Sequence, residues 1–342
     1  MTFRIKRPVF IIAEVGINHN GNMIIAKKLI KQAKLAGADA VKFQSYNTDI
    51  LIKKNAPKME YQKKNDKTKE SQYQMLKRSE LNEKDHKFLI SECKKNKIEF
   101  ISTPYDIKSA KLLIKNKIKL IKIASTDANN LIFLRELVKQ NIKLIISTGV
   151  SSLKDLDKIY KDKIIKKNIN KISLLHCVSY YPAPVNELNL SVINYLNKRY
   201  GVSVGFSDHS SELITGALAV IAGARIIEKH FTFNKNAKGG DHKSSLNFIE
   251  LKEYISNIRI AEKTIGKEIK IITKSEKNIK KPMQKSIVVN KDLKKFHKIT
   301  INDLTTMRPG NGIIPYDVDK VIGKKLLKEL NKFDQIKFKF IK

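Results

Sequence analysis

Two histidines in one stretch of the chain are the residues best suited to chemistry. His209 and His230 each end a short β-type run, and the alanine-rich residues between the runs are typical of a helix. In a parallel sheet the carboxyl ends of the strands lie at one edge, so the two imidazoles are expected to meet there. Two neutral imidazoles at such an edge suit a divalent metal ion. The alternative is a pair of hydrogen-bonded structural histidines, which the polar neighbours of both residues make less favourable.

The elements that must position these histidines repeat one pattern along the chain. From residue 10 to about residue 265, eight strand-like runs alternate with eight helical runs. This alternation predicts an α/β fold, the (β/α)8 TIM barrel. A doubly wound open sheet is the alternative, but no glycine-rich dinucleotide motif follows the first strand. Residues 45–80 are longer than an ordinary connection and predict a functional loop over the site.

Polar residues cluster at the predicted strand ends, where TIM-barrel enzymes carry their chemistry. Lysines buried there need anionic partners, because an unpaired buried charge is costly. Two lysines, several hydroxyl groups and a metal therefore favour a substrate that carries phosphate and carboxylate. The residues at the predicted strand ends are Glu14, Lys42, Gln44, Thr103, Lys122, Ser125, Ser147, His176, Ser207, His209, Glu228 and His230.

Length and composition set the expected domain organisation. The chain has 342 residues, of which 42% are hydrophobic, so one large domain and one small domain are expected. We predict the barrel at 1–266, a lysine-rich linker at 267–284 and a small β-rich domain at 285–342, with strand-like runs at 286–289 and 336–340. No apolar run is long enough to cross a bilayer and no signal-like segment opens the chain, which favours a cytoplasmic protein without a membrane partner.

The net charge of +35 is the one feature that suggests nucleic acid as a partner. The lysines are scattered over almost every segment, arginine is scarce, and no row of aromatic side chains accompanies them. No RNA- or DNA-binding motif is present. We therefore expect no nucleic-acid partner, and the positive field would favour an anionic small substrate.

Nine short motifs make the chain resemble the bacterial sialic acid synthases, which include the N-acetylneuraminate, legionaminate and pseudaminate synthases. The resemblance runs from about residue 8 to residue 342. Each motif is weak alone, but nine in the right order are highly specific. In one-letter code the motifs are AEVGINHNG at 13–21, VKFQ at 41–44, ISTP at 101–104, KIAS at 122–125, STG at 147–149, HC at 176–177 with YPAP at 181–184, GFSDH at 205–209, EKHF at 228–231 and RPGNG at 308–312.

The resemblance implies a TIM barrel followed by a small antifreeze-like (SAF) β-rich domain, which in this family reaches over the barrel of a second subunit in a domain-swapped homodimer. It implies condensation of phosphoenolpyruvate with N-acetylmannosamine or a related 2-acylamino sugar, giving a nonulosonic acid and phosphate. The alternative within the family is N,N'-diacetyllegionaminate or pseudaminate synthesis from a 2,4-diacetamido-trideoxy hexose. Another phosphoenolpyruvate-dependent aldol-type synthase, acting on a phosphorylated sugar, would need an arginine-rich phosphate clamp that the strand ends lack.

The resemblance also implies roles for individual residues. Glu14, His209 and His230 would be catalytic, with Glu14 close to the aldehyde and the attacking water. The two histidines would bind a divalent metal ion, with Mn²⁺ expected first and Mg²⁺ or Co²⁺ as alternatives, and the metal would polarise the sugar aldehyde. Phosphoenolpyruvate would be held by Lys42, Lys122, Ser125, Ser147 and Ser207. The sugar would be bound by Tyr181, Asp241 and, from the other subunit, Arg308, and Gln44 is expected among the substrate-binding residues.

Three positions depart from the commoner family pattern, all on the expected sugar side. Asp127 stands where many members have glutamate, Ser179 stands where some have asparagine, and Gly240 stands where proline is usual. Asp127 and Ser179 are expected to contact substrate. These departures leave the reaction class unchanged and leave the identity of the sugar open.

Overall fold

The barrel is the larger of two compact units. A computed structural model of the chain describes residues 8–65 and 70–342, and it divides into Met1–Lys267 and Glu268–Lys342. The strands of the first unit are β1 Phe10–Gly16, β2 Ala40–Ser45, β3 Glu99–Pro104, β4 Leu120–Ile123, β5 Lys143–Ser147, β6 Ile172–His176, β7 Ser203–Asp208 and β8 Ile226–His230. They are parallel and pair in chain order, and the last strand closes against the first. The predicted (β/α)8 barrel is confirmed.

Helices surround the strands, and local signals set their ends. They are α1 Met23–Ala36, α2 Thr48–Leu51, α3 Glu60–Asn65, α4 Gln72–Ser79, α5 Glu83–Lys95, α6 Ile107–Lys115, α7 Leu131–Val138, α8 Leu153–Lys161, α9 Lys163–Lys167, α10 Ser191–Tyr200, α11 Thr215–Ile221 and α12 Phe248–Ile265. The Asn22 side chain accepts two backbone N–H groups at the start of α1, and Gly37 ends that helix with a φ of 98°. In the part of the chain that the structure describes, no helix is both long and apolar enough to cross a membrane.

Two segments differ from the pattern expected from the sequence. Residues 45–80, predicted as a loop, contain α2, α3 and α4, while 66–69 lie outside the described residues. The sequence pattern also predicts one helix over 153–166, but the structure divides this run into α8 and α9. The reason is Asp162, whose carboxylate accepts from the backbone N–H groups of Ile164 and Ile165 and so begins a second helix.

Side-chain alternation builds two layers inside the barrel. The layer nearer the amino ends of the strands is apolar and contains Ile12, Ala40, Ile101, Ile145, Leu175 and Ile226. Two residues further along the same strands the interior becomes polar, at Glu14, Lys42, Thr103, Ser147, Cys177 and Glu228. Residues of the opposite parity pack under the helices and form the main core. The strand pattern therefore gathers the polar side chains at the carboxyl ends of the strands.

The second unit begins with a helix inside the segment predicted as a linker. This helix, α13 Lys274–Met283, starts at a capping box formed by Thr273 and Glu276. Two strands follow, β9 Ser286–Val289 and β10 Leu304–Met307, which pair antiparallel. Their apolar faces belong to a small core of their own. The capping box was the signal for α13, and the lysine-rich composition around it obscured that signal.

The prediction of a strand at 336–340 is wrong. Ile336 is buried and its N–H donates to the Ile287 carbonyl, but the chain then forms a 3₁₀ turn, Phe338–Phe340. Phe338 is exposed, so the alternating apolar residues of this run do not share one buried face. Because no core covers that face, the alternating run does not form a strand.

Candidate active site

Four buried charged side chains form one connected group in the polar layer of the barrel. Lys42 Nζ lies 2.8 Å from Glu14 Oε2 and 3.7 Å from Glu228 Oε2. Lys122 Nζ lies 3.6 Å from Glu228 Oε1. All four residues are buried, and we call them the charged quartet. In such a water-poor interior each charge strongly affects the protonation of the others.

The two carboxylates of the charged quartet differ in protonation. Burial raises the pKa of Glu14 to about 7, and the nearby Lys42 ammonium opposes that rise without cancelling it. Burial also acts to raise the pKa of Glu228, but Lys122 and Lys42 together outweigh it and lower the pKa to about 2. Glu228 therefore stays ionised, whereas Glu14 exchanges a proton near neutral pH.

The two ammonium groups of the charged quartet also differ. Burial acts to lower the pKa of Lys42, yet Glu14 and Glu228 outweigh it and raise the pKa above its ordinary value. The pKa of Lys122 is lowered, because burial outweighs the attraction of Glu228. Lys42 also donates to the Thr103 hydroxyl at 3.0 Å. Two buried lysines therefore lie at this end of the strands, each in contact with a carboxylate.

His209 and His230 face each other at the ends of β7 and β8, with ring centroids 5.9 Å apart. His209 Nδ1 donates to the Val178 carbonyl at 2.6 Å, so Nε2 of the neutral ring is an acceptor. The Tyr181 hydroxyl donates to that Nε2 at 3.0 Å. The Tyr181 ring stacks on His209 at 4.1 Å and meets His230 edge-on at 5.7 Å. One tyrosine ring thus contacts both imidazoles.

Both imidazoles are neutral at physiological pH. Burial lowers the pKa of His209 to about 4 and that of His230 to about 3. Among the described residues, the buried Nδ1 of His230 has no hydrogen-bond partner. An orphaned buried nitrogen is costly, and a bound cation would satisfy it. Across residues 8–65 and 70–342, no group of three or more histidine, cysteine, aspartate or glutamate side chains is arranged to hold a metal ion.

Serines predicted to bind substrate lie at or just after the ends of β4, β5, β6 and β7. The Ser207 hydroxyl, inside the barrel, donates to Glu228 Oε1 at 2.9 Å. Ser147 is buried at the end of β5. Ser125 and Ser179, predicted for different substrates, have their hydroxyl oxygens 3.2 Å apart. The pair therefore joins the expected phosphoenolpyruvate side of the site to the expected sugar side.

The remaining predicted barrel residues are polar groups around the same centre. Gln44 and Glu14 both approach Gly16. A Cβ added to that glycine would stand 3.1 Å from Glu14 Oε1 and 3.4 Å from Gln44 Nε2, so the two side chains lie close together. Asp127, in the turn after β4, is half-buried, and burial raises its pKa. Asp241 is buried. Burial is the main cause of the raised pKa of the Tyr105 phenol, and the charges of Glu14, Asp241 and Asp127 add to it. Sequence reasoning missed Tyr105.

Two residues from the sequence analysis lie elsewhere. His176 was expected among the strand-end groups, but its Nε2 hydrogen-bonds to the Leu188 carbonyl at 2.7 Å and its ring stacks on Phe206 at 6.1 Å. Alternation explains this difference, because Leu175 points into the barrel and His176 therefore faces the helices. Arg308 belongs to the second unit and is exposed, and its role stays a prediction.

The sequence analysis places Glu228 at a strand end but assigns it no role in substrate binding or catalysis. The structure places it in contact with Lys42, Lys122 and Ser207, at the centre of the charged quartet. The signal for it is its spacing of two residues from His230, because residues i and i+2 of a strand share one face.

Comparison with known proteins identifies both units. The sequence matches the NeuB family over residues 29–270 and the SAF domain over residues 284–341. The N,N'-diacetyllegionaminic acid synthase of Campylobacter jejuni is 42% identical over 93% of this chain and 96% of its own length. The N,N'-diacetyllegionaminic acid synthase of Legionella pneumophila is 39% identical over 94% of this chain and 91% of its own length.

A solved structure agrees with the sequence matches. The N-acetylneuraminic acid synthetase of Leptospira borgpetersenii, in complex with citrate, superposes with a TM-score of 0.71 at 32% identity, covering 80% of this chain and 90% of that chain. The resemblance stated from the motifs is confirmed. The family match over residues 29–270 and the two relatives, on a chain that folds as a barrel followed by an SAF domain, show that it belongs to the NeuB family of sialic acid synthases.

Proposed function

We propose that this chain condenses phosphoenolpyruvate with a 2,4-diacetamido-trideoxy hexose, giving a nonulosonic acid of the N,N'-diacetyllegionaminate type and phosphate. The observation that carries the proposal is the charged quartet beside two neutral imidazoles at the carboxyl ends of the barrel strands. The choice of sugar follows the relatives. N-acetylmannosamine, placed first from the sequence, is supported less well, because both curated relatives reported above are named for N,N'-diacetyllegionaminic acid.

The lysines of the charged quartet suit the anionic substrate. When Glu14 is protonated, two ammonium groups face the single carboxylate of Glu228. A phosphate and a carboxylate would neutralise the excess positive charge, with charge-assisted hydrogen bonds from Lys42 and Lys122. The buried hydroxyl of Ser147 would add a neutral donor. These donors would already be oriented before the substrate enters, which is the condition for strong electrostatic stabilisation.

Glu14 is the group that would hold and move a proton. In the condensation, carbon 3 of the enol attacks the aldehyde, water adds at carbon 2 and phosphate leaves. The attacking water must lose a proton, and a carboxylate with a pKa of about 7 accepts one efficiently near neutral pH. Glu228, kept ionised by two lysines, would remain a fixed charge that holds both ammonium groups in place.

His209 and His230 fit a divalent cation once the Tyr181 hydroxyl releases His209 Nε2, the one acceptor nitrogen of that neutral ring. Both rings are neutral, and the hydrogen bond to the Val178 carbonyl fixes the tautomer of His209. When bound, the cation would serve as a Lewis acid toward the sugar aldehyde, with Mn²⁺ proposed first and Mg²⁺ or Co²⁺ as alternatives. Tyr181 contacts both rings and would orient the sugar against them.

A phosphate-release assay tests the proposed function. The full chain with Mn²⁺ is given phosphoenolpyruvate and either a 2,4-diacetamido-trideoxy hexose or N-acetylmannosamine, and mass spectrometry identifies the product. We expect kcat/KM to be at least about tenfold higher for the diacetamido sugar. Preference for N-acetylmannosamine would identify that sugar as the acceptor. No phosphate release with either sugar would overturn the synthase proposal. Lys42→Met is the inactive control.

A further inference from the structure

A second buried ion pair lies behind the two histidines. Asp208 and Lys229 precede His209 and His230 in the chain, and they are direct neighbours across β7 and β8. Because successive residues of a strand face opposite sides, this pair faces the helices while the imidazoles face the barrel interior. Lys229 Nζ lies 3.0 Å from Asp208 Oδ2, and each residue is only 1% exposed. The proposed reaction makes no use of these two charges.

Hydrogen bonds connect the ion pair to two helices. Asp208 Oδ2 accepts from the Thr215 hydroxyl at 2.5 Å and from the Tyr254 hydroxyl at 2.8 Å. Its Oδ1 accepts from the N–H and the hydroxyl of Ser210, at 2.9 and 2.7 Å. Lys229 donates to the Ser210 carbonyl at 2.6 Å and lies 5.2 Å from the centroid of the Tyr254 ring. Since Thr215 begins α11 and Tyr254 lies in α12, one carboxylate links two strands to two helices.

Tyr254 is itself held in one position. The residue is completely buried, and its ring lies directly against the backbone of α11. A Cβ on Gly216 would stand 2.5 Å from Tyr254 Oη, so a larger residue than glycine would displace the ring. The direction from which this hydroxyl reaches Asp208 is therefore fixed by close packing.

The value of such a pair lies in its geometry. A buried ion pair adds little net stability, because removing two charges from water offsets most of their attraction. Each hydrogen bond nevertheless demands a narrow range of distance and angle, which apolar packing does not. Asp208 and Lys229 form the last paired register position of β7 and β8, so these two strands stop pairing with each other just before the histidines.

We propose that Asp208 and Lys229 are a positioning pair that fixes the separation of the His209 and His230 rings, and through it their joint hold on a divalent cation. His209 has a second anchor, the Val178 carbonyl. His230 has no hydrogen-bond partner at Nδ1 among the described residues, so its ring is placed by its backbone. Lys229 ties that backbone to β7 on one side, and the pairing of His230 with Glu14 of β1 holds it on the other. The inference rests on the metal site of the proposed function and adds the residues that shape it.

Electron paramagnetic resonance of Mn²⁺ titrated into the full chain tests the positioning role. The double variant Asp208→Asn, Lys229→Met removes both charges, which avoids leaving one buried charge unpaired. Tyr254→Phe is a milder variant that keeps both charges and removes one hydroxyl donor. Leu251→Ala is the matched control, because it leaves a cavity at a buried position of the same helix without removing a hydrogen bond to the pair.

We expect the double variant to bind Mn²⁺ about 10- to 100-fold more weakly than the wild type, with an altered resonance signal. Tyr254→Phe should weaken Mn²⁺ binding and alter the resonance signal in the same direction, but to a smaller extent. Leu251→Ala should match the wild type in both measurements at a temperature where every variant is folded. A folded double variant with wild-type affinity and signal overturns the positioning role. If the double variant does not fold, Tyr254→Phe decides by the same criterion.

A wild type that binds no Mn²⁺ would instead defeat the metal part of the proposed function, and the ring positions are then measured directly. The imidazole nitrogen NMR signals of His209 and His230, recorded on the full chain without added cation, are expected to shift in Tyr254→Phe and in the double variant. They should stay in place in Leu251→Ala. Unchanged signals in both folded variants overturn the positioning role.

Discussion

Glu14 and Glu228 share one ammonium group and differ in protonation. Both carboxylates lie near Lys42 Nζ, at 2.8 and 3.7 Å, but only Glu228 has a second cation, Lys122, within 3.6 Å. Burial dominates at Glu14 and raises its pKa to about 7, whereas the two lysines overcome burial at Glu228 and lower its pKa to about 2. Two carboxylates whose pKa values differ in this way are suited to different roles, one as a proton carrier and the other as a fixed charge.

The raised pKa of Glu14 predicts the pH dependence of turnover. Because the deprotonated form must accept a proton from water, kcat/KM for phosphoenolpyruvate should rise with pH and level off above about 7. Glu14→Gln should lower kcat by a factor of about 10² to 10⁴ and abolish this rise. Initial rates of phosphate release between about pH 5 and pH 9 measure both effects.

The control for Glu14 is a buried carboxylate outside the barrel interior. Glu92, on α5, is paired with Lys27 at 3.4 Å and with Lys95 at 2.9 Å. Glu92→Gln should keep the rise of kcat/KM with pH. If Glu14→Gln kept it as well, the proton would be transferred by another group.

His209→Ala is expected to lose Mn²⁺ binding and turnover together, since a single remaining imidazole cannot hold the cation tightly. Calorimetric titration with Mn²⁺ and phosphate release on the same preparation measure the two losses. His176→Ala is the matched control, because His176 ends the neighbouring strand but faces the helices. Full wild-type turnover in the presence of a strong chelator would contradict the assignment.

Local signals explain which parts of the fold were predictable. The sequence predicts a helix over about 23–36 with Gly37 as its C-terminal stop, and α1 has these bounds. The interruption at Asp162 was missed, since it leaves the apolar period of the surrounding residues intact. The turn at Phe338–Phe340 was missed because an alternating run suits a strand only if a core covers one face, and that core depends on residues distant in sequence.

The site was predictable in its residue types and less so in its charges. Alternation along β1, β2 and β4 was enough to place Glu14, Lys42 and Lys122 at the strand ends. The opposite pKa shifts of Glu14 and Glu228 were not predictable, because they depend on distances between strands far apart in the chain. His176 shows the remaining limit, since an error of one residue in strand parity moves a side chain from the interior to the helix face.

Lys122→Met is expected to raise the KM for phosphoenolpyruvate about 100-fold and to leave the KM for the sugar unchanged. Loss of one partner from a buried charged contact costs about 3 kcal/mol, which corresponds to about two factors of ten in affinity. Steady-state kinetics with each substrate varied in turn separate the two constants. Lys119→Met, exposed just before β4, is the control. An equal rise in both constants would place Lys122 outside the anion site.

Arg308→Ala is expected to raise the KM for the acylated sugar about tenfold, since we propose that its exposed guanidinium donates to the acyl carbonyl of sugar bound to a second copy of the chain. The KM for phosphoenolpyruvate should not change, and light scattering should give the mass of a homodimer. Lys320→Ala is the control, because Lys320 is another exposed cation of the second unit, paired with Asp317. A monomer at assay concentration would contradict the proposal that Arg308 contacts sugar bound to a second copy of the chain.

Mixed dimers of two defective chains test directly whether Arg308 acts across subunits. Chains carrying His209→Ala and Arg308→Ala are produced together, so that random pairing makes about half of the dimers mixed. If Arg308 serves the other subunit, one site of each mixed dimer receives an intact His209 from one chain and an intact Arg308 from the other. About a quarter of all sites are then restored, and activity at low sugar concentration rises to about a quarter of the wild-type value. If Arg308 serves its own chain, no mixed dimer contains an intact site, and the activity stays at the mean of the two variants.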